Sequence, residues 1–230
     1  MSAFLQGSAF FGVLVSLLAY AAGEALRKKL RTPLCNPLLL AVAAVMAVLA
    51  LGHIPYKTYY AGARYLSELL TPATVCLAIP LYDRLALLRQ NWRAILAGIG
   101  VGVLTGLCSI LALAAAFGLD HAAYATLLPK SVTTAIGMGI SQELGGHVTL
   151  TVAVILITGV LGNVFAELIC RLFRITEPVA VGVALGTSAH AIGTAKAMEL
   201  GEVQGAMSSL SIAVAGILTV AGAGVFARFL

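Results

Sequence analysis

The stretch 128–141 (LPKSVTTAIGMGIS) places a cation and several hydroxyl groups inside an apolar part of the chain. A helix that starts after Pro129, which suits a first helical turn, would align a polar face of Lys130, Thr133, Thr134, Gly137 and Ser141. Free N–H groups at a helix start favour anions. Together with Ser131, this pattern predicts a carboxylate site. The alternative is a lysine that reaches the interface and threonines bonded to their own helix.

A second polar stretch, 186–199 (GTSAHAIGTAKAME), contains a histidine between two Gly-Thr pairs. On a continuous helix, Thr187, His190 and Thr194 would share one face, and Gly186 and Gly193 would lie on its closely packed edge. A histidine exchanges protons near neutral pH, which suits proton coupling or anion binding. The alternative is a hydrogen-bonded core histidine. Lys196 and Glu199 are spaced to form a surface ion pair.

Glu167 lies within an apolar segment and is a further candidate for proton coupling. Alternatively, it lies near the membrane interface and pairs with Arg171.

The composition indicates that a membrane positions these residues. The chain has 230 residues, of which 60% are hydrophobic and 10% are charged, and its mean hydropathy is +1.02. Soluble domains carry about a quarter charged residues, and a spanning helix needs about 20 apolar residues. We predict a single all-α domain, 1–230: a polytopic membrane helix bundle with about seven or eight hydrophobic segments. Polar groups at membrane depth are costly and tend to be functional.

The charge pattern gives a first topology. Basic residues follow the first apolar segment at 27–31, which predicts an N-terminus outside and this loop in the cytoplasm. If every segment crossed once, Arg171 and Arg174 would lie outside, against the positive-inside rule. A re-entrant fifth segment (122–141), interrupted by Pro129, or an earlier segment that does not cross, returns them to the cytoplasm. The seventh segment (178–198) is interrupted by glycines.

A weak internal repeat is also present. The stretch 72–79 (PATVCLAI) aligns with 129–136 (PKSVTTAI), and Glu24…Arg31…Asn36-Pro37 parallels Glu167…Arg174…Glu177-Pro178. Repeats with interrupted helices are typical of secondary transporters, although proline and hydroxyl residues also recur by chance in apolar sequence.

Several function classes find no support in the sequence. The four cysteines are isolated in or beside apolar runs, which predicts buried reduced thiols and no metal site. No phosphate-binding loop, GxSxG or HExxH motif is present. We therefore expect no enzyme, no cofactor and no nucleic-acid partner.

The strings PKSVTT, GTSAHAIGTAKAMELGEVQGAMSSL and TPATVCLAIPLY resemble the LrgB/CidB family of bacterial membrane proteins. The resemblance covers residues 8–229 and is strongest over 127–215. It implies either a holin/antiholin-like role in murein hydrolase activity and cell lysis or, through a plant glycolate/glycerate translocator and bacterial pyruvate uptake, carboxylate transport. It also implies a small LrgA/CidA-like partner. The motif positions are Pro129, Lys130, Ser131, Thr133, Thr134, Gly186, Thr187, His190, Gly193 and Thr194.

These observations predict a transporter of small monocarboxylates, such as pyruvate or glycolate, in the cell inner membrane. Lys130 would hold the carboxylate, Thr133, Thr134 and Thr187 the hydroxyl or oxo group, and His190 would couple protons. The alternative is a holin/antiholin-like regulator of lysis that forms oligomeric pores. A third interpretation is a structural scaffold for the partner. A homo-oligomer is compatible with each of them.

Overall fold

The computed structural model describes residues 9–30, 37–76 and 78–230. These residues form α-helices and short connections, with no strand among them. The helices are α1 (Ala9–Leu30), α2 (Pro37–Leu51), α3 (Tyr56–Glu68), α4 (Leu70–Cys76), α5 (Ala78–Asp83), α6 (Leu85–Phe117), α7 (His121–Leu127), α8 (Thr134–Glu143), α9 (Val148–Leu172), α10 (Pro178–Leu200) and α11 (Glu202–Phe226), followed by a 3-10 turn at Ala227–Phe229.

Membrane-spanning segments are evident from length and apolar composition. Among the described residues, five helical segments qualify: Phe10–Lys29, Leu85–Phe117, Val148–Leu172, Pro178–Leu200 and Glu202–Phe229. Large apolar side chains such as Leu104, Ile157 and Ile217 point outward from them, as expected for lipid-facing positions. The predicted all-helical membrane bundle is confirmed.

The chain divides into two compact units, residues 1–76 and 77–230. In the first unit, α1 packs on α2 and α3. The Ser16 hydroxyl and the Tyr59 hydroxyl are hydrogen-bonded at 2.7 Å, and Gly12 allows the α3 backbone to approach closely. Both polar stretches singled out above lie in the second unit.

Helix α10 is long and apolar enough to span a membrane, but it doubles back on itself. Its backbone is non-helical at Ala189 and His190. A Cβ added at Gly193 would lie 2.6 Å from the carbonyl oxygen of Leu185, whereas residues eight apart in a straight helix are separated by about 12 Å. Residues 178–188 and 191–200 are therefore two antiparallel arms, here called the α10 hairpin, with its tip at Ala189–His190.

The first turns of α11 confirm this reversal, because they contact both arms of the α10 hairpin. A Cβ added at Gly182 of the first arm would lie 2.5 Å from the carbonyl oxygen of Gln204. A Cβ added at Gly205 would lie 2.8 Å from the Met198 side chain of the second arm. The predicted interruption of the seventh segment is thus a complete reversal.

Helices α7 and α8 form a second hairpin, the α7–α8 hairpin, whose tip is the turn 128–133. At its base, the imidazole Nε2 of His121 donates to the carbonyl oxygen of Leu144 at 3.1 Å. Near its tip, a Cβ at Gly137 would lie 3.5 Å from the carbonyl oxygen of Pro129. The fifth segment is thus interrupted at Pro129 and turns back on itself, as expected for a re-entrant segment.

The two hairpins enter from opposite ends of α9 and meet at its middle. The base of the α7–α8 hairpin is tied to the start of α9 through Thr151, and the base of the α10 hairpin is tied to its end through Glu167. Near the tips, Gly137 and His190 both contact Ile155. Inverted re-entrant segments that meet near the midplane are a feature of secondary transporters.

Most arginines of this unit lie at one end of it, whereas Arg228 follows α11 at the other end. Helix α6 runs parallel to the first arm of the α10 hairpin, because Gly98 faces Val183 and Gly102 faces Thr187, and Arg84 pairs with Glu202 at the start of α11. The remaining basic residues of this side are Arg89 and Arg93 on α6 and Arg171 and Arg174 at the end of α9. The placement of these arginines at one end agrees with the positive-inside rule.

The structure agrees with only part of the predicted internal repeat. Pro37 and Pro178 each begin a helix, as the repeat predicted, but Pro72 lies inside α4 while Pro129 lies in a turn. Arg31 and Asn36 lie outside the described residues, as does Cys35. The expectation of buried thiols is wrong for Cys76 and Cys108, which are exposed; Cys170 is partly buried.

Candidate functional site

A cavity of about 710 Å³ lies where the two hairpin tips meet α6. Its wall includes Lys130 and Ser131 from the tip of the α7–α8 hairpin and Thr187 and Ser188 from the α10 hairpin. Helix α6 supplies the opposite wall. The two polar stretches, which are far apart in sequence, therefore contribute to one site.

Lys130 is the cation of this cavity. Its side chain is partly buried, and its Nζ donates to the Ser131 hydroxyl at 2.8 Å. Within the described part of the chain, no acidic side chain forms an ion pair with Lys130. A lysine ammonium has three donors, so this one retains the capacity to bind an anion.

Thr187, in the wall of the same cavity, carries an unsatisfied hydroxyl. The residue is 7% exposed, and its Oγ1 is a buried polar atom with no hydrogen-bond partner among the described residues. A void of about 20 Å³, lined by Thr187 and Ser131, adjoins the main cavity. Buried polar groups are usually hydrogen-bonded, and a void of this size holds one water molecule or one ligand oxygen.

His190 secures the tip of the α10 hairpin rather than lining the cavity. It is 3% exposed, and its Nε2 donates to the carbonyl oxygen of Ile155 at 3.0 Å. Its φ of 42° is unusual for a residue with a side chain. The predicted polar face of Thr187, His190 and Thr194 on one continuous helix is wrong, because the helix reverses between the first and the last of them.

Thr194 and the glycines of the second motif pack the α10 hairpin. The Thr194 hydroxyl bonds the His190 carbonyl oxygen at 3.1 Å and the Ser208 hydroxyl at 2.7 Å. Gly186 lies against the Ser208 backbone, and Gly193 lies against the opposite arm. These positions hold the site in shape, and they do not line the cavity.

The predicted stripe on a helix beginning after Pro129 is also wrong, because α8 begins at Thr134. Pro129, Lys130, Ser131 and Thr133 lie in the tip, where the backbone is not helical. Ser141 belongs instead to a buried cluster at the hairpin base. There the Thr151 hydroxyl lies 2.7 Å from the Ser141 hydroxyl and 3.0 Å from the Thr126 carbonyl oxygen.

Glu167 lies away from the cavity, at the base of the α10 hairpin. Its carboxylate is 2.6 Å from Lys196 Nζ, and its side chain is 55% exposed. Lys196 also pairs with Glu199 at 3.4 Å, as predicted. Among the described residues, no group of three His, Cys, Asp or Glu side chains is arranged to hold a metal ion.

The face of α9 that receives the α10 tip was not predicted from the sequence. A Cβ at Gly159 would lie 2.7 Å from the His190 ring, and one at Gly162 would overlap Ala189. The Asn163 amide donates to the carbonyl oxygen of Ile192 at 2.9 Å. Gly162 and Asn163 follow Gly159 by three and four residues, so the three lie on one face of α9. Small residues at this spacing are the signal in the sequence that another segment packs closely there.

The cavity wall on α6 was missed as well. Small and hydroxyl residues follow one face of this helix at intervals of three or four, including Gly98, Gly102, Thr105, Gly106 and Ser109. Small residues at such spacing usually indicate helix contact. Here they leave room for a groove.

Comparisons with known proteins agree with these features. The LrgB-like family model matches residues 16–229. Proteins named antiholin-like protein LrgB from Bacillus cereus (strain B4264) and Bacillus anthracis (strain A0248) are each 36% identical over 222 residues, which cover 96% of this chain and 96% of each relative. No solved structure matches the chain.

The match covers both compact units and both hairpin tips, and the fold is that of a multi-pass membrane protein. The chain belongs to the LrgB-like family of membrane proteins.

Proposed function

We propose that this chain is a transporter that binds a small monocarboxylate, such as pyruvate or glycolate, between the two hairpin tips. One observation carries the proposal: the Lys130 ammonium, bonded only to the Ser131 hydroxyl among the hydrogen bonds of the described residues, faces a cavity beside the unsatisfied Thr187 hydroxyl. Charge-assisted hydrogen bonds are the strong ones in such sites. No catalytic role is proposed for any residue.

In this proposal, Lys130 binds the carboxylate, and Ser131 and Thr187 bond the 2-oxo or 2-hydroxy oxygen. Thr133 is the last residue of the tip, and Thr134 is the first residue of α8. His190 remains the proposed site of proton coupling, acting through the position of the α10 tip, and Glu167 is retained only as a remote candidate because of its ion pair with Lys196.

The cavity wall extends to Asn91 and Glu177, on the side where the arginines gather. By the positive-inside rule this side faces the cytoplasm, and we propose the cell inner membrane with the N-terminus outside. Movement of the hairpin tips relative to α6 would expose the site alternately to the two sides. A small LrgA/CidA-like protein is the proposed partner, and homo-oligomers are compatible with this scheme.

The names of the relatives favour the alternative expected from the sequence, an antiholin-like role in lysis, over carboxylate transport. For that function, the chain would assemble into pores or regulate them. The cavity favours the first proposal, because Lys130, Ser131 and Thr187 all line one cavity within a single chain.

Uptake by proteoliposomes separates the two functions. Purified full-length chain, with and without an LrgA-like partner, is tested with radiolabelled two- and three-carbon acids, with and without a pH gradient. The same vesicles are loaded with a dye far larger than these acids. Saturable acid uptake without dye release supports the transporter. Dye release with no saturable uptake supports the lysis regulator and overturns the proposal.

A further inference from the structure

We propose that the cavity also accepts an apolar chain attached to the carboxylate, so that 2-oxo acids longer than three carbons bind better than pyruvate. This inference rests on the proposed function, because it uses Lys130 as the carboxylate-binding group. It adds the shape and the chemical class of the rest of the ligand.

The cavity is much larger than a three-carbon acid. Such an acid has about six non-hydrogen atoms and, at roughly 30 Å³ for a water-sized group, fills less than about 200 Å³. The cavity measures about 710 Å³. Cavities of roughly 300–1,000 Å³ hold drug-sized ligands. A small acid bound to Lys130 would leave most of this volume to water or to another molecule.

The shape of the cavity is that of a long groove. The α6 wall extends from Ser109, at the end near Lys130, to Asn91 at the far end. At 1.5 Å per residue this is about 27 Å. Gly102 faces Thr187 beside the tip of the α7–α8 hairpin, and Gly98 faces Val183 one helical turn further along the groove. An extended chain fits such a groove, whereas a compact polar molecule does not fill it.

Polarity is distributed unevenly along the groove. The cation and the unsatisfied hydroxyl lie at the Lys130 end. The central part is lined by apolar side chains and glycines (Ile95, Gly98, Val101, Val179, Val183 and Ala184), and the far end carries Asn91 and Glu177. Buried polar groups at one end fix the orientation of a ligand, and apolar walls bind its chain. The matching ligand is a monocarboxylate with an apolar tail.

A chain-length series tests this inference. Affinities of the full-length protein in lipid nanodiscs are measured by calorimetry for unbranched 2-oxo acids of three to eight carbons. Each buried methylene contributes roughly a fourfold gain in affinity. We expect at least a tenfold fall in Kd between the three- and six-carbon acids, and loss of binding for every acid in Lys130→Gln.

A pair of glycine variants locates the tail. Gly98 lines the groove, and an added Cβ there meets only Val183, at 3.4 Å; Gly100 does not line it, and an added Cβ there meets nothing within 4 Å. Gly98→Leu is expected to remove the gain with chain length, so that the six-carbon acid binds this variant within about threefold of pyruvate in the same variant. Gly100→Leu, on the same helix, is expected to leave the whole series unchanged.

The outcomes separate this inference from the proposed function. If pyruvate binds and longer acids bind no better, the apolar tail site is wrong and the transporter proposal stands. If affinity rises with length equally in Lys130→Gln, the acids partition into lipid and the tail site is wrong. If no acid binds at any length, the proposed function fails, and this inference fails with it.

Discussion

The Nε2 of His190 donates a hydrogen bond to the carbonyl oxygen of Ile155 at 3.0 Å, and this bond joins the tip of the α10 hairpin to the middle of α9. The same ring lies over Gly159, where a Cβ would come within 2.7 Å of it. The sequence context of His190 predicted a place in the binding site. In the structure, its side chain instead holds the tip of the α10 hairpin against α9.

Substitution at His190 should reveal backbone strain at the tip. His190→Ala loses the bond to Ile155 and keeps the φ of 42°; His190→Gly loses the same bond and relieves strain of about 1–3 kcal/mol. We expect both variants to be less stable than wild type and the glycine variant to melt higher than the alanine variant. Melting in detergent, followed by intrinsic fluorescence, measures the order. An alanine variant as stable as wild type would show that the His190 side chain does not stabilise the tip.

The close contact between Gly162 and Ala189 predicts intolerance of any side chain on this face of α9. Gly162→Ala would place a Cβ on that of Ala189, and overpacking typically costs about 1–3 kcal/mol. We expect a lower melting temperature and weaker pyruvate binding. Gly139→Ala is the control, because a Cβ there meets nothing within 4 Å. Equal effects of the two substitutions would contradict the packing described for the hairpin.

Two threonines of the second motif should separate binding from stability. Among the described residues, Thr187 Oγ1 has no hydrogen-bond partner, whereas Thr194 bonds His190 and Ser208. Thr187→Val should leave the free energy of unfolding within about 1 kcal/mol of wild type and weaken carboxylate binding. Thr194→Val should lose stability by about 1–3 kcal/mol because Ser208 loses its partner. Calorimetry on both variants checks this, and the reverse pattern would place the site elsewhere.

The opposed hairpins predict a labelling pattern. In a cysteine-free background, a cysteine replacing Leu144 at the base of the α7–α8 hairpin and one replacing Gly201 at the base of the α10 hairpin should react with a membrane-impermeant maleimide from opposite sides. His147→Cys and Arg174→Cys mark the two ends of α9 for comparison. Reaction of both base positions from the same side would rule out this topology.

The sequence predicted which segments are helical better than it predicted where the chain turns back. Composition and charge were enough for the membrane bundle and for re-entry around Pro129. The polar faces predicted to include Thr133 and Thr194 were wrong for the same reason. Each prediction assumed a continuous helix across a point where the chain turns. No proline marks the reversal at His190, and tertiary contacts with Ile155, Gly159 and Gly162 hold it. Such contacts join distant segments, which local spacing does not reveal.

The central claim, that Lys130 binds a carboxylate between the hairpin tips, is tested most directly by pyruvate uptake into proteoliposomes containing wild type, Lys130→Gln or Lys57→Gln. Lys57 is an exposed lysine of the first unit, so Lys57→Gln makes the same lysine-to-glutamine change outside the cavity wall. A charge-assisted hydrogen bond contributes about 1.5–3 kcal/mol. We predict at least a tenfold loss of saturable uptake for Lys130→Gln, at equal folding and reconstitution, and wild-type uptake for Lys57→Gln. Wild-type uptake by Lys130→Gln would contradict the claim.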